Sequence, residues 1–161
     1  MHDLLCGGKD GCEMSSIGQA SAALEIAVDR IVKDVGQQAV SRGTRAVNAI
    51  RNAELDVLKG QRSGRVYRKP HSKSTYRASA PGEPPARRTG NLRLHWHGDV
   101  KGGQASSGGV QITAQLESEH DYSGILENGS PGGMIAPRPF KDRIIEKAMP
   151  EITAIYNEPY S

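Results

Sequence analysis

A chain of 161 residues that is 36% hydrophobic and 4% aromatic, with one Trp and one Phe, holds one domain of ordinary size and little large apolar surface for its core. Its formal net charge of +3 is too small a bias to identify a nucleic-acid partner by itself, and the distribution of charge matters more than the total. No apolar run approaches the roughly 20 residues that cross a bilayer, and the Gly-rich start after Leu4 and Leu5 lacks a signal-peptide core, so we expect a soluble protein made in the cytoplasm and no membrane contact. With Cys6 and Cys12 alone, both near the start, a disulfide framework is not expected.

In chain order, residues 1–15 carry glycines and both cysteines without periodicity and read as a flexible arm, followed by a single domain over residues 16–161. Ser15 or Ser16 can cap a helix. Beyond it Leu24, Val28, Ile31, Val35 and Ala39, then Ala46, Ile50 and Val57, recur at steps of three and four, the mark of one amphipathic helix. Unbroken to Leu58 it would span roughly 60 Å, so Gly36 and Gly43 are the expected places for a bend, and Lys59 with Gly60 closes it.

Residues 61–90 hold Arg62, Arg65, Arg68, Lys69, Lys73, Arg77, Arg87 and Arg88 against the single acid Glu83, with Pro70, Pro81, Pro84 and Pro85 set against regular structure. This reads as a long basic loop that contacts another subunit or an anionic partner, because it lacks the apolar side chains to order itself.

After Thr89 and Gly90 the period becomes two. Leu92, Leu94, Trp96 and Val100 predict one strand, Val110, Ile112, Ala114 and Leu116 a second, antiparallel to it, with Gly102, Gly103, Gly108 and Gly109 framing the hairpin loop. A third short strand is expected from Tyr122 to Glu127, ending at Asn128 and Gly129. Pro139 and Phe140 then start a C-terminal helix through Ile144, Ala148, Ile152 and Ile155, with a kink expected at Pro150. The fold class is α+β: a long N-terminal helix, a small antiparallel sheet of about three to four strands, and a C-terminal helix on the same sheet face. The expected core is Leu24, Val28, Ile31, Ile144 and Ile152.

Motifs for chemistry are few. His95 and His97 have a spacing that can place two imidazoles on one metal, but further ligands such as His120, Glu117 or Asp121 complete no recognisable set, and exposed strand positions are the preferred reading. Cys6 and Cys12 with His2 lack the spacing of a zinc knuckle. No glycine pattern matches a phosphate-binding loop. The acid pairs Glu117 with Glu119 and Glu151 with Glu158 read as solvated surface. The sequence therefore leads us to expect no catalytic residue, no cofactor and no metal.

Three segments, in order, carry a family resemblance: Ala80-Pro81-Gly82-Glu83-Pro84-Pro85 leading to Arg88-Thr89-Gly90-Asn91-Leu92-Arg93; Tyr122 to Gly129, YSGILENG; and Ala136-Pro137-Arg138-Pro139-Phe140. Over roughly residues 17–157 the chain resembles the siphophage neck or tail-completion family, a minor tail component typified by gene product ten of phage HK-ninety-seven. The resemblance implies a non-enzymatic virion protein, made in a bacterial host, that forms a homo-oligomeric ring of six or twelve copies at the head-tail junction. Adjacent head-closure, portal or tail-terminator proteins would be its partners, with incidental contact with genomic DNA. It further implies structural roles for Thr89, Gly90, Leu92, Tyr122, Glu127, Gly129, Pro137, Pro139 and Phe140. The alternative reading is a basic nucleic-acid-binding module that contacts DNA through residues 61–88.

Overall fold

The computed structural model describes the backbone of residues 10–104 and 109–161, and the side chains of 18–102 and 109–161. The expected arm therefore lies outside the described residues for positions 1–9, as do the side chains of Cys6 and Cys12. From Asp10 the backbone is already helical, ahead of the serines expected to cap it. The chain forms two compact units, Met1–Gln38 and Ala39–Ser161.

Helix α1 runs from Asp10 to Lys59 without interruption, through both Gly36 and Gly43. Its first part belongs to the first unit, where Leu24, Ile26, Val28, Ile31 and Val32 are all about half or more exposed. The expected burial of Leu24, Val28 and Ile31 is therefore overturned. The stripe continues at the same steps into the second unit through Ala39, Ala46, Ala49 and Ala53, with the charged Arg42 among them, and there it is buried.

In the second unit, strand β3 (Trp96–Gln104) and strand β4 (Val110–Ser118) pair antiparallel, with Val100 opposite Ala114 and Gly102 opposite Ile112. Gly102 and Gly103 thus sit on a strand and not in the loop that they were expected to frame; Gly108 lies outside the described residues. Gly43 is a contact point and not a bend. A Cβ there would meet Ile112 Cγ2 and Val100 Cγ1, each at 2.8 Å, and a Cβ at Gly98 would meet Val47 Cγ1 at 2.5 Å. Glycine on each side lets the helix backbone and the ribbon approach closely. Gly98→Ala is accordingly expected to cost about 1 to 3 kcal/mol by overpacking, measured as a lower urea midpoint with unchanged slope. Gly43→Ala separates two effects: it gains helix propensity of about 1 kcal/mol and still loses stability if the contact dominates.

The sheet is smaller than expected. There are two two-stranded sheets and no third strand beside β3 and β4 among the described residues. The other sheet is a hairpin inside the supposed loop: β1 (Val66–Arg68) pairs with β2 (Thr75–Arg77), Tyr67 opposite Tyr76 with rings stacked 6.0 Å apart. Pro70 falls in its turn, where a missing N–H costs nothing. Further contacts tie the rest of the segment to the unit. Glu83 accepts hydrogen bonds from Ser63 N, Ser63 Oγ and Ala80 N, and Gly82 N donates to Pro137 O at 3.1 Å. These contacts draw the Glu83 carboxyl down to about 2. The expectation of a long loop without elements of its own is corrected: the segment holds a hairpin, and its backbone and its one acid tie it to the unit.

Two segments read as strands are helical. Asn91–Leu94 forms the short helix α2, because Gly90 at φ 97° turns the chain in a left-handed conformation and its carbonyl accepts from Arg93 and Leu94. The indole N–H of Trp96 donates to the Leu92 carbonyl and closes this turn against the start of β3. Ser123–Asn128 forms helix α3, capped by Gly129 at φ 82° with its N–H on the Ile125 carbonyl. Helix α4, Lys141–Tyr156, carries Pro150 without interruption and buries Ile144, Ala148 and Ile155. The core joins Ala53 and Leu58 of α1 to Phe140, Ile144 and Ala148, with Leu92, Trp96, Leu126 and Ile152 packed around them. Beyond α4 the chain returns to α1: Glu158, an exposed surface acid as expected, holds Arg45 through two 2.6 Å bonds, and Arg42 bonds the Pro159 carbonyl and lies over the Tyr160 ring.

Candidate functional site

The residues that carry the resemblance converge on one joint. Arg138 N donates to the Leu126 carbonyl, and one carboxylate oxygen of Glu127 accepts from Phe140 N at 3.0 Å and Lys141 N at 3.3 Å, so α3 caps the first turn of α4. A Cβ at Gly129 would lie 2.9 Å from the Ile135 carbonyl and against Pro137, which fixes glycine there on steric grounds as well as by φ. Pro139 sets the chain ahead of α4 and Phe140 places its ring edge-on to Trp96 at 6.2 Å. Thr89 accepts from Asn91 N through its hydroxyl. Their chemistry is structural: caps, turns and core.

Beside this joint lies an open cleft of about 740 Å³, walled by the end of the hairpin, by residues 85–93 and by α3. Lys69, Arg87, Arg88, Arg93 and Arg138 line it, and no Asp or Glu does. Leu58, Leu92 and Leu126 supply apolar surface, and Tyr76 and Tyr122 form part of the wall. Ser79 receives two hydrogen bonds from Arg138, on its carbonyl and its hydroxyl, which hold that guanidinium in place. The side chains of Lys69, Arg87 and Arg88 have no hydrogen-bond or ion-pair partner among the described residues, and Arg93 Nε is buried without an acceptor.

The eight basic residues expected to act together thus separate into three groups. Arg62 is structural, donating to the Val57 carbonyl at the end of α1 and to the Pro85 carbonyl. Arg65, Arg68, Lys73 and Arg77 belong to the hairpin, where Arg68 bonds the Ser72 carbonyl, Arg77 bonds the Gly64 carbonyl, and Arg65 lies over the Tyr67 ring. Lys69, Arg87 and Arg88 face the cleft. Arg93 and Arg138, which complete it, come from outside the basic segment; the only sequence signal for them was their place in the motif-bearing stretches.

Arg93 also acts on a buried acid. Glu54 is 0% exposed, bonded to Arg51 through one oxygen, while its other oxygen has no partner. Burial pushes its carboxyl up to about 7 from an ordinary value of 4.5, against the opposing charges of Arg51 and Arg93. The folded chain then holds this proton more tightly than the unfolded chain, so stability falls as pH rises from 4.5 to about 7 and is level above. Glu54→Gln is expected to flatten that slope, a difference of roughly 3 kcal/mol at most, read from urea midpoints across the window.

His95 and His97 are not brought to one position on the strand. His95 caps the end of α2 rather than standing on β3 beside His97, and its ring packs on His120 at 4.8 Å, which stacks in turn on Tyr122. Among the described residues no group of three or more His, Cys, Asp or Glu is placed to hold a metal ion, and no helix is long and apolar enough to cross a membrane. Comparison with protein-family models, curated proteins and solved structures finds no match.

Proposed function

We propose that this chain is a structural, non-enzymatic subunit of a tailed-phage head-tail connector, a neck or tail-completion protein that assembles into a ring between the portal or head-closure complex and the tail. The observation that carries the assembly reading is the apolar stripe of α1. From Ala39 onward the chain covers it with its own ribbon and core, while Leu24, Val28 and Ile31 on the same stripe remain 65%, 48% and 61% exposed. Contiguous apolar surface of this kind marks a contact with another chain. Support for the connector in particular comes from the resemblance, whose motif residues make the caps and turns that hold α3, α4 and the cleft wall together.

Away from the stripe, Glu25, Asp29, Arg30, Lys33 and Asp34 give this half of the helix a polar side with both signs of charge. Mass photometry and negative-stain images of the purified chain are expected to show discrete multiples of the 17.3 kDa subunit and closed rings. A monomer at high concentration that binds duplex DNA with steep salt dependence would overturn the connector in favour of the nucleic-acid module.

A further inference from the structure

We infer that the basic cleft is a docking site for an acidic peptide segment carrying a leucine-sized apolar side chain between carboxylates, presented by a neighbouring virion protein. The inference rests on the connector reading for the partner's identity only; the geometry of the cleft stands by itself.

Charge is the first ground. Five cations face a space with no carboxylate in its lining, and three of them, Lys69, Arg87 and Arg88, have no side-chain partner among the described residues. Arg87 and Arg88 are adjacent in sequence and exposed, free to reach opposite sides of a bound chain. Arg138 is held by Ser79 and needs no rearrangement to present its remaining N–H groups, and Arg93 adds a further positive charge to the lining. Guanidinium forks suit carboxylates, which they grip with paired bonds.

The lining then chooses between a peptide and a nucleic acid. Leu58, Leu92 and Leu126 gain nothing from phosphate or ribose, and they gain from an aliphatic side chain. Single strands are held by stacking bases on aromatic faces. Here each tyrosine already has a stacked neighbour, Tyr76 on Tyr67 and Tyr122 on His120. A volume of about 740 Å³ fits a short stretch of peptide and is too small to enclose a duplex.

The test uses the whole chain and a fluorescein-labelled nonapeptide of sequence ELEELEELE, read by anisotropy. Saturable binding is expected, weakened by more than about tenfold when Gln replaces every Glu or Ser replaces every Leu, and likewise for Arg87→Glu with Arg88→Glu. Arg65→Glu with Lys73→Glu, on the hairpin outside the cleft, is expected to change affinity by less than about threefold. Because Arg87 and Arg88 are exposed and have no side-chain partner among the described residues, their reversal should leave the melting temperature unchanged, which separates lost binding from lost fold. Equal binding of the Ser-for-Leu peptide, wild-type binding by the Arg87/Arg88 variant, or tighter binding of oligothymidylate would each overturn the inference. Rings that form normally while the peptide fails to bind would sink the cleft alone. Peptide binding by a chain that never forms rings would sink the ring alone.

Discussion

Phe140→Ala is expected to remove about 3 to 5 kcal/mol of stability, the range for truncating a fully buried aromatic ring. Phe140, 3% exposed at the start of α4, shares one core cluster with Ala53 and Leu58 of α1 and Ile144 of α4, against which Leu126 of α3 packs, and its ring stands edge-on to Trp96 of β3. The chain contains no other Phe and no other Trp, so no second pair of this kind can compensate. Urea unfolding measures the loss, and Trp96 emission reports its origin, since an emptied site beside the indole should shift the folded-state spectrum to the red. Phe140→Leu, which keeps most of the volume, is expected to cost less than half as much. A loss below about 1 kcal/mol for Phe140→Ala would mean that α4 is not anchored through this ring.

Replacing Leu24, Val28 and Ile31 together by Gln is expected to abolish self-association while leaving the subunit folded. These side chains are exposed in the single chain, so their change should alter its unfolding by no more than about 0.5 kcal/mol each. Buried between copies, each would contribute about 1.5 to 3 kcal/mol, so the triple variant should weaken assembly by at least about a thousandfold. The matching control lies on the opposite face: Asp29→Asn with Lys33→Gln changes charge and not the stripe, and should assemble. Wild-type association by the triple variant would show that the copies meet elsewhere.

The helices at the two ends were legible because three- and four-residue steps persist over many turns, and Pro139 with Phe140 marks the start of α4. Which half of α1 is buried was not legible. Hydrophobicity points to Leu24, Val28 and Ile31, yet the covered half is built from Ala39, Gly43, Ala46, Ala49 and Ala53, whose value is close approach and not apolar area. Six residues were too few to fix a period at Tyr122–Glu127, where the packing of Leu126 and the turn at Gly129 select a helix. Alternation at Leu92 and Leu94 was misleading for a local reason: Gly90 and the bond from Trp96 to the Leu92 carbonyl wind that stretch into a turn. The basic character of residues 61–88 was plain from composition, but its division was not, since a carbonyl acceptor claims Arg62 and the distant Arg93 and Arg138 complete the cleft.

The interlock of Gly43 with Val100 and Ile112, and of Gly98 with Val47, has a mechanical consequence. Helices packed through smooth aliphatic layers can ratchet past a neighbour by one turn, roughly 5.4 Å, at modest cost. A one-turn slide of the covered half of α1 along β3 would carry Gly43 away from its notch and bring a residue with a full side chain, Ala46 or Val47, onto Val100. Both directions are blocked, because the valine that fills the space above Gly98 must climb out of it whichever way the helix moves. The helix is thus keyed to the ribbon like a bolt in its detent, and axial load applied to its covered half passes into β3 and β4 as rigid-body force and is not dissipated by slip.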